Sequence, residues 1–174
     1  MTSLKSSLTK KILIAGVGNR LMGDDGFGPR VIDLLSSAPL PENVEARDIG
    51  TAGLTIATDL IEYDLVVFVD SVNIEGEPGQ LHKSGIMVEE EEGDAAELSR
   101  FTLHEVGLEG LLKFAKAIGA LPPRVILIGC KPKALGPSLE LSPEVEDTLQ
   151  RAADMALATV EDFLQNEMNK NLEG

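Results

Sequence analysis

A chain of 174 residues, 43% of them hydrophobic, can bury one well-packed core but hardly two, so it is read as a single domain over 1–174 with flexible tails at 1–10 and 167–174. A formal net charge of −14 argues against a nucleic-acid partner and against an anionic membrane surface, both of which select basic patches. The single cysteine, Cys130, excludes an internal disulfide and a multi-cysteine metal site. Met1 to Lys11 lacks the apolar core of a signal peptide, and no stretch approaches the roughly 20 apolar residues of a membrane span, so a cytoplasmic protein without membrane insertion is expected.

In chain order, Lys11 to Ala15 reads as a strand buried on both faces, because Ile12, Leu13 and Ile14 form an unbroken apolar run that stops at glycines. The turn Gly16-Val17-Gly18-Asn19-Arg20-Leu21-Met22-Gly23-Asp24-Asp25-Gly26 follows. A helix is expected to begin at Phe27 to Pro29, since proline is tolerated in a first turn and Val31, Ile32, Leu34 and Leu35 repeat at helical spacing. Asp24 and Asp25 therefore precede a helix N-terminus, where acids can cap the helix and favour its dipole.

A strand, a Gly-x-Gly turn and a helix also cradle dinucleotide pyrophosphates, but Leu21 stands where the third glycine of that fingerprint belongs, and two carboxylates there would repel phosphate and attract a cation.

Val44 to Asp48 is a second strand, and Leu54 to Glu62 carries apolar residues that suit a second helix. Asp64 to Asp70 is the clearest strand, with Leu65 to Val69 continuously apolar. Gln80 to Val88 reads as an interrupted strand, with Gly85 as a bulge or bend, and Glu89 to Glu92 as a solvated charge run. A third helix is expected from the Thr102–Leu112 region to about Ile118, with His104 at or just before its start. Arg124 to Gly129 is another strand. A final helix runs from Pro143 to about Asn166, with Ser142 as its cap.

This alternation predicts a three-layer α/β/α sandwich with a mostly parallel sheet of about five strands. Ligands bind at the carboxyl ends of such strands, and the loops after the first and third strands would bring Asp25 and Asp70 to one edge. With His104 they make a three-donor oxygen and nitrogen set suited to nickel or zinc, with open positions for a substrate. His82, beside Lys83 in a weak strand, carries no such implication. Cys130 follows an apolar strand and reads as a buried small residue rather than a nucleophile.

The chain resembles the hydrogenase maturation endopeptidases, which trim the large subunit of nickel-iron hydrogenases. Gly16 to Gly28 is similar to that family's Gly-x-Gly-Asn turn with its acidic pair. Further matches are Asp48-Ile49-Gly50-Thr51-Ala52-Gly53, in which Ile49 departs from the family's Asp-Gly-Gly, Val67 to Val72, and His104-Glu105-Val106-Gly107-Leu108. Leu103 to Val106, together with Gly129-Cys130-Lys131-Pro132, is similar to the archaeal branch that serves coenzyme F420-reducing hydrogenases.

The resemblance implies an endopeptidase that removes the C-terminal extension of a large-subunit precursor after nickel insertion. Asp25, Asp70 and His104 would be both the metal-binding and the catalytic residues. Nickel would be recognised in the substrate, and no organic cofactor is implied. A nickel-binding assembly chaperone on the same fold, without peptidase activity, is the alternative.

Overall fold

The computed structural model describes residues 9–51, 53–87 and 107–173. Among them are five strands: β1 (Ile12–Val17), β2 (Val44–Gly50), β3 (Leu65–Ser71), β4 (Leu81–Gly85) and β5 (Arg124–Cys130). They form one sheet in the order β2-β1-β3-β5-β4. The first four in that order run parallel, and β4 is antiparallel to β5. The helices are α1 (Phe27–Ser36), α2 (Leu108–Ala117), α3 (Pro143–Glu146) and α4 (Leu149–Glu173).

The continuous apolar runs are explained by layers on both faces of the sheet. Along β1 and β3, Ile12, Ile14, Val67 and Val69 pack with Val31 and Leu35 of α1 and Ala152, Ala156 and Val160 of α4. The alternating Leu13, Ala15, Val66 and Phe68 pack with Ile56, Leu60, and Leu111, Leu112 and Ala115 of α2. Side chains alternate across a strand, so a strand covered on both faces must be apolar throughout. This is the three-layer α/β/α arrangement expected from the sequence.

Three elements differ from expectation. Residues 54–62 form no α-helix; the segment folds as two 3-10 turns, Gly53–Ile56 and Leu60–Glu62. These still bury Ile56 and Leu60, which is why their spacing resembles a helical face. β4 is a short uninterrupted strand whose register with β5 runs from Leu81 opposite Cys130 to Gly85 opposite Ile126, so Gly85 ends the strand without a bulge. The final helix breaks between α3 and α4 and then continues to Glu173, because residues 166–173 contain neither glycine nor proline to stop it.

Register fixes what meets at the carboxyl edge. In the parallel β1–β3 pair Gly16 lies opposite Val69, so the turn leaving β1 emerges beside Asp70 near the end of β3. Among the described residues no helix is long and apolar enough to cross a membrane.

Candidate active site

The turn between β1 and α1 is shaped by two close backbone approaches. Gly18 has φ +139°, and a Cβ there would run into the carbonyl oxygen of Asp25, so only glycine lets the turn fold back on itself. A Cβ at Gly28 would collide with the carbonyl oxygens of Val17 and Val69, so the first turn of α1 sits directly on the ends of β1 and β3. Asp25 lies three residues before Gly28 and Asp70 one residue after Val69. The two carboxylates are thus carried to one place by backbone packing rather than by long side chains.

Asp25 is half-buried, and its Oδ2 accepts the Asn19 amide at 2.9 Å. Asp70 is raised from the ordinary carboxylate range to about 7, first by burial and then by the negative charge of Asp25, against a smaller lowering from the Ser71 amide. The negative charge of Asp25 thus makes Asp70 costlier to ionise. A cation held between them would reverse that cost.

His104, the third residue selected from the sequence, lies outside the described residues. Among the described residues no group of three or more His, Cys, Asp or Glu side chains is placed to hold a metal ion, so the described part of the site is the Asp25–Asp70 pair.

Asp24 points elsewhere, and it does not cap a helix. The N-cap of α1 is Gly26, without a side-chain cap bond. Asp24 is fully buried. Its Oδ2 accepts the amides of Lys133 and Ala134, both at 2.8 Å, and the Ser142 hydroxyl at 2.5 Å; its Oδ1 accepts the Ser142 amide at 2.7 Å. Burial pushes its pKa up, but the bonds from Ala134, Ser142 and Lys133 outweigh it, and the carboxyl titrates below its usual range. Ser142 is the N-cap of α3 by position, with Pro143 following it, yet its hydroxyl serves Asp24 rather than the helix.

Arg20 was not singled out by sequence reasoning. Its guanidinium donates to both oxygens of Asp33, at 2.6 and 2.8 Å, to Asp48 Oδ2 at 3.1 Å, and to the Pro29 carbonyl at 3.2 Å. It clamps the turn to α1 and to the end of β2, and it occupies Asp48, the other strand-end acid. The signal was a lone arginine inside an acidic motif.

Cys130 is buried, with Sγ 3.7 Å from the Thr148 hydroxyl, and burial pushes its thiol up. That is the opposite of an activated thiolate. His82 lies exposed on β4.

A model of the hydrogenase maturation protease family matches residues 29–159. The chain belongs to that family. The hydrogenase 2 maturation protease of Escherichia coli (strain K12) is 31% identical over 152 residues, which cover 86% of this chain and 90% of that protein. The crystal structure of the hydrogenase 2 maturation peptidase from Thaumarchaeota archaeon SCGC_AB-539-E09 superposes with a TM-score of 0.69 at 62% identity, covering 87% of this chain and 99% of that one. The hydrogenase maturating endopeptidase HybD from E. coli gives a TM-score of 0.72 at 28% identity, covering 87% and 93%. The protease is accordingly a peptide-bond hydrolase, and membership selects the peptidase over the non-cleaving chaperone.

Proposed function

We propose that this protease removes the C-terminal extension of a nickel-iron hydrogenase large-subunit precursor after nickel insertion. Nickel already in the substrate is recognised by Asp25, Asp70 and His104, which serve as both its ligands and the catalytic residues. The observation that carries the reading is the Asp25–Asp70 pair, with Asp70 lifted to about 7 by burial and by its neighbour's charge. Two linked carboxylates at the carboxyl edge of a parallel sheet form a cation-seeking site, and an imidazole added to them gives a donor set that suits nickel. The relatives named above act, by their names, in the maturation of hydrogenases.

In this reading an unloaded precursor fails to dock, because its extension reaches the acids with no cation to offset their mutual repulsion. Nickel engaged by the two carboxylates and His104 fixes the scissile bond beside them, and that orientation is the larger part of the rate gain. Hydrolysis then needs a polarised carbonyl or an activated water. The metal supplies the first, and a carboxylate oxygen that the metal leaves free supplies the second.

The test is mass spectrometry of nickel-loaded and nickel-free precursor after incubation with the protease. The loaded chain should lose its extension and the unloaded chain keep its mass; equal cleavage of both would remove nickel recognition from the mechanism. Running the assay with precursors of coenzyme F420-reducing and hydrogenase 2 enzymes identifies which substrate is served.

A further inference from the structure

The connection from β5 to α3 crosses the carboxyl edge of the sheet and is bound to the β1–α1 turn at several points. Besides the four bonds to the Asp24 carboxylate, the Asp24 amide donates to the Ala134 carbonyl at 3.0 Å and the Gly23 amide to the Ser138 carbonyl at 2.8 Å. The Ser138 amide donates back to the Leu21 carbonyl at 3.0 Å, and Arg30 donates to the Leu139 carbonyl at 2.6 Å. Met22 pairs with Ser138 and Gly23 with Leu135 as isolated bridges. Two loops more than 100 residues apart in sequence become one surface, with a buried carboxylate beneath it.

That surface is unusually apolar. Of nine large hydrophobic residues exposed among the described residues, four lie on these two loops: Leu21 (62% exposed), Met22 (36%), Leu135 (62%) and Leu139 (65%). Clustered exposed apolar side chains mark contact surfaces, whereas scattered ones do not. The cluster is built on the turn that carries Asp25, whose backbone amide bonds to the Met22 carbonyl at 3.3 Å. A peptidase must hold the polypeptide on either side of the bond it cuts. Lys133 and Glu140 stand on the same connection, but the four apolar side chains beside the acids are where an apolar segment can lie in a chain of net charge −14.

We propose that Asp24 is a positioning residue for the substrate polypeptide. By pinning residues 133–142 to the Leu21–Gly23 turn, it builds the apolar rim on which the apolar segment flanking the scissile bond is seated. Asp24 touches no reacting atom and acts through Leu135 and Leu139. The inference rests on the proposed function for the identity of the substrate, but not on the nickel.

The experiment measures steady-state cleavage of nickel-loaded large-subunit precursor, with thermal unfolding of each variant alongside. In parallel, the dissociation constant for precursor is read in an Asp25→Asn background. The paired variant Leu135→Ser with Leu139→Ser should raise KM and Kd about tenfold, as loss of two anchors in a docking surface does, with kcat and Tm kept. Ser142→Ala, which removes one donor to Asp24, should shift KM in the same direction by a smaller factor. Ile61→Ser, equally apolar and exposed but away from this edge, should match wild type. An unchanged KM and Kd in the leucine pair, or a fall in kcat at constant KM, would overturn the proposal. Should wild type cut nickel-free precursor equally well, the nickel reading fails, and the KM comparison still decides the rim.

Discussion

At the amino ends of the parallel strands, charges meet opposite charges in water. Lys10 reaches Asp64 and Glu167, both at 3.4 Å, and Lys11 reaches Glu62 at 3.0 Å. At the carboxyl ends Arg20 holds Asp48, but the acids beside it are placed differently. Asp24 is held by amides and a hydroxyl, and Asp70 faces the like charge of Asp25. The same side-chain chemistry therefore does different things at the two ends. Exposed pairs contribute about 0–1 kcal/mol each and are screened by salt, whereas carboxylates withdrawn from water either organise backbone, as Asp24 does, or, in the function proposed above, receive a positive ligand, as Asp25 and Asp70 would.

The largest effect should come from the Asp25–Asp70 pair. Asp25→Asn keeps nearly the same size and can still accept the Asn19 amide, so the fold should survive. What goes is the charge that, in the function proposed above, makes the carboxylate a metal donor. Loss of a residue that merely supports a metal ligand costs about 10–100-fold, so loss of a ligand should lower cleavage of nickel-loaded precursor by more than about 100-fold. His104→Ala should behave likewise. Wild-type cleavage by folded Asp25→Asn would erase the distinction between the two ends of the sheet.

The next effect separates the adjacent acids. Asp24→Asn must point an amide NH2 either at the Ser142 amide or at the Lys133 and Ala134 amides, because all partners of both oxygens are donors. A buried donor facing a donor, with a charge-assisted bond gone, costs about 2–4 kcal/mol. This exceeds the roughly 1 kcal/mol of a lost helix cap. Chemical denaturation of metal-free protein measures it, and a cost below 1 kcal/mol would return Asp24 to the role of a dispensable cap.

This difference also marks how far the sequence could be read. Ile12 to Ile14 and Leu65 to Val69 are unbroken apolar runs ending at glycine or aspartate, and that local pattern suffices for two buried parallel strands and for Asp25 and Asp70 at one edge. Asp24 could not be understood the same way. Its partners lie 109 to 118 residues away in a proline-containing connection, and nothing local distinguishes an acid that caps from one that reaches across the sheet edge. Residues 54–62 failed for another reason: Ile56, Ala57 and Leu60 satisfy helical spacing while 3-10 turns bury them equally well. β4 was faint because, as an edge strand with His82, Lys83 and Ser84 exposed, it has no buried face to pattern.

A comparable effect tests the electrostatic link in the metal-free protein. Asp70 has a folded pKa of about 7, above its unfolded value near 3.8, so the native state holds the extra proton between those limits. Its contribution to stability is complete below pH 3.8 and is lost as pH rises towards and through 7. Asp70→Asn removes the charge, so its melting temperature should match wild type near pH 4 and exceed it by about 8–16 °C at pH 8, for roughly 4 kcal/mol in a domain of this size. A constant difference across that range would mean that burial and Asp25 do not govern this carboxyl.

The smallest effect belongs to the amino end. Lys11→Met removes the ion pair to Glu62, whose side chains are 48% and 60% exposed, while keeping an aliphatic stem over the Tyr63 ring, where the Lys11 ammonium sits 4.8 Å from the centroid. Exposed pairs of this kind are worth at most about 0.5–1 kcal/mol, and the retained stem preserves part of the packing. Melting should move by no more than about 2–4 °C, less at high salt because the charges are solvated and screened. Cleavage should not move at all, since Lys11 adjoins the amino end of β1 and Asp25 follows its carboxyl end. A Lys11→Met protein that melts normally but loses cleavage would carry function across the whole length of the strand, and the contrast between the two ends of the sheet would no longer locate the site.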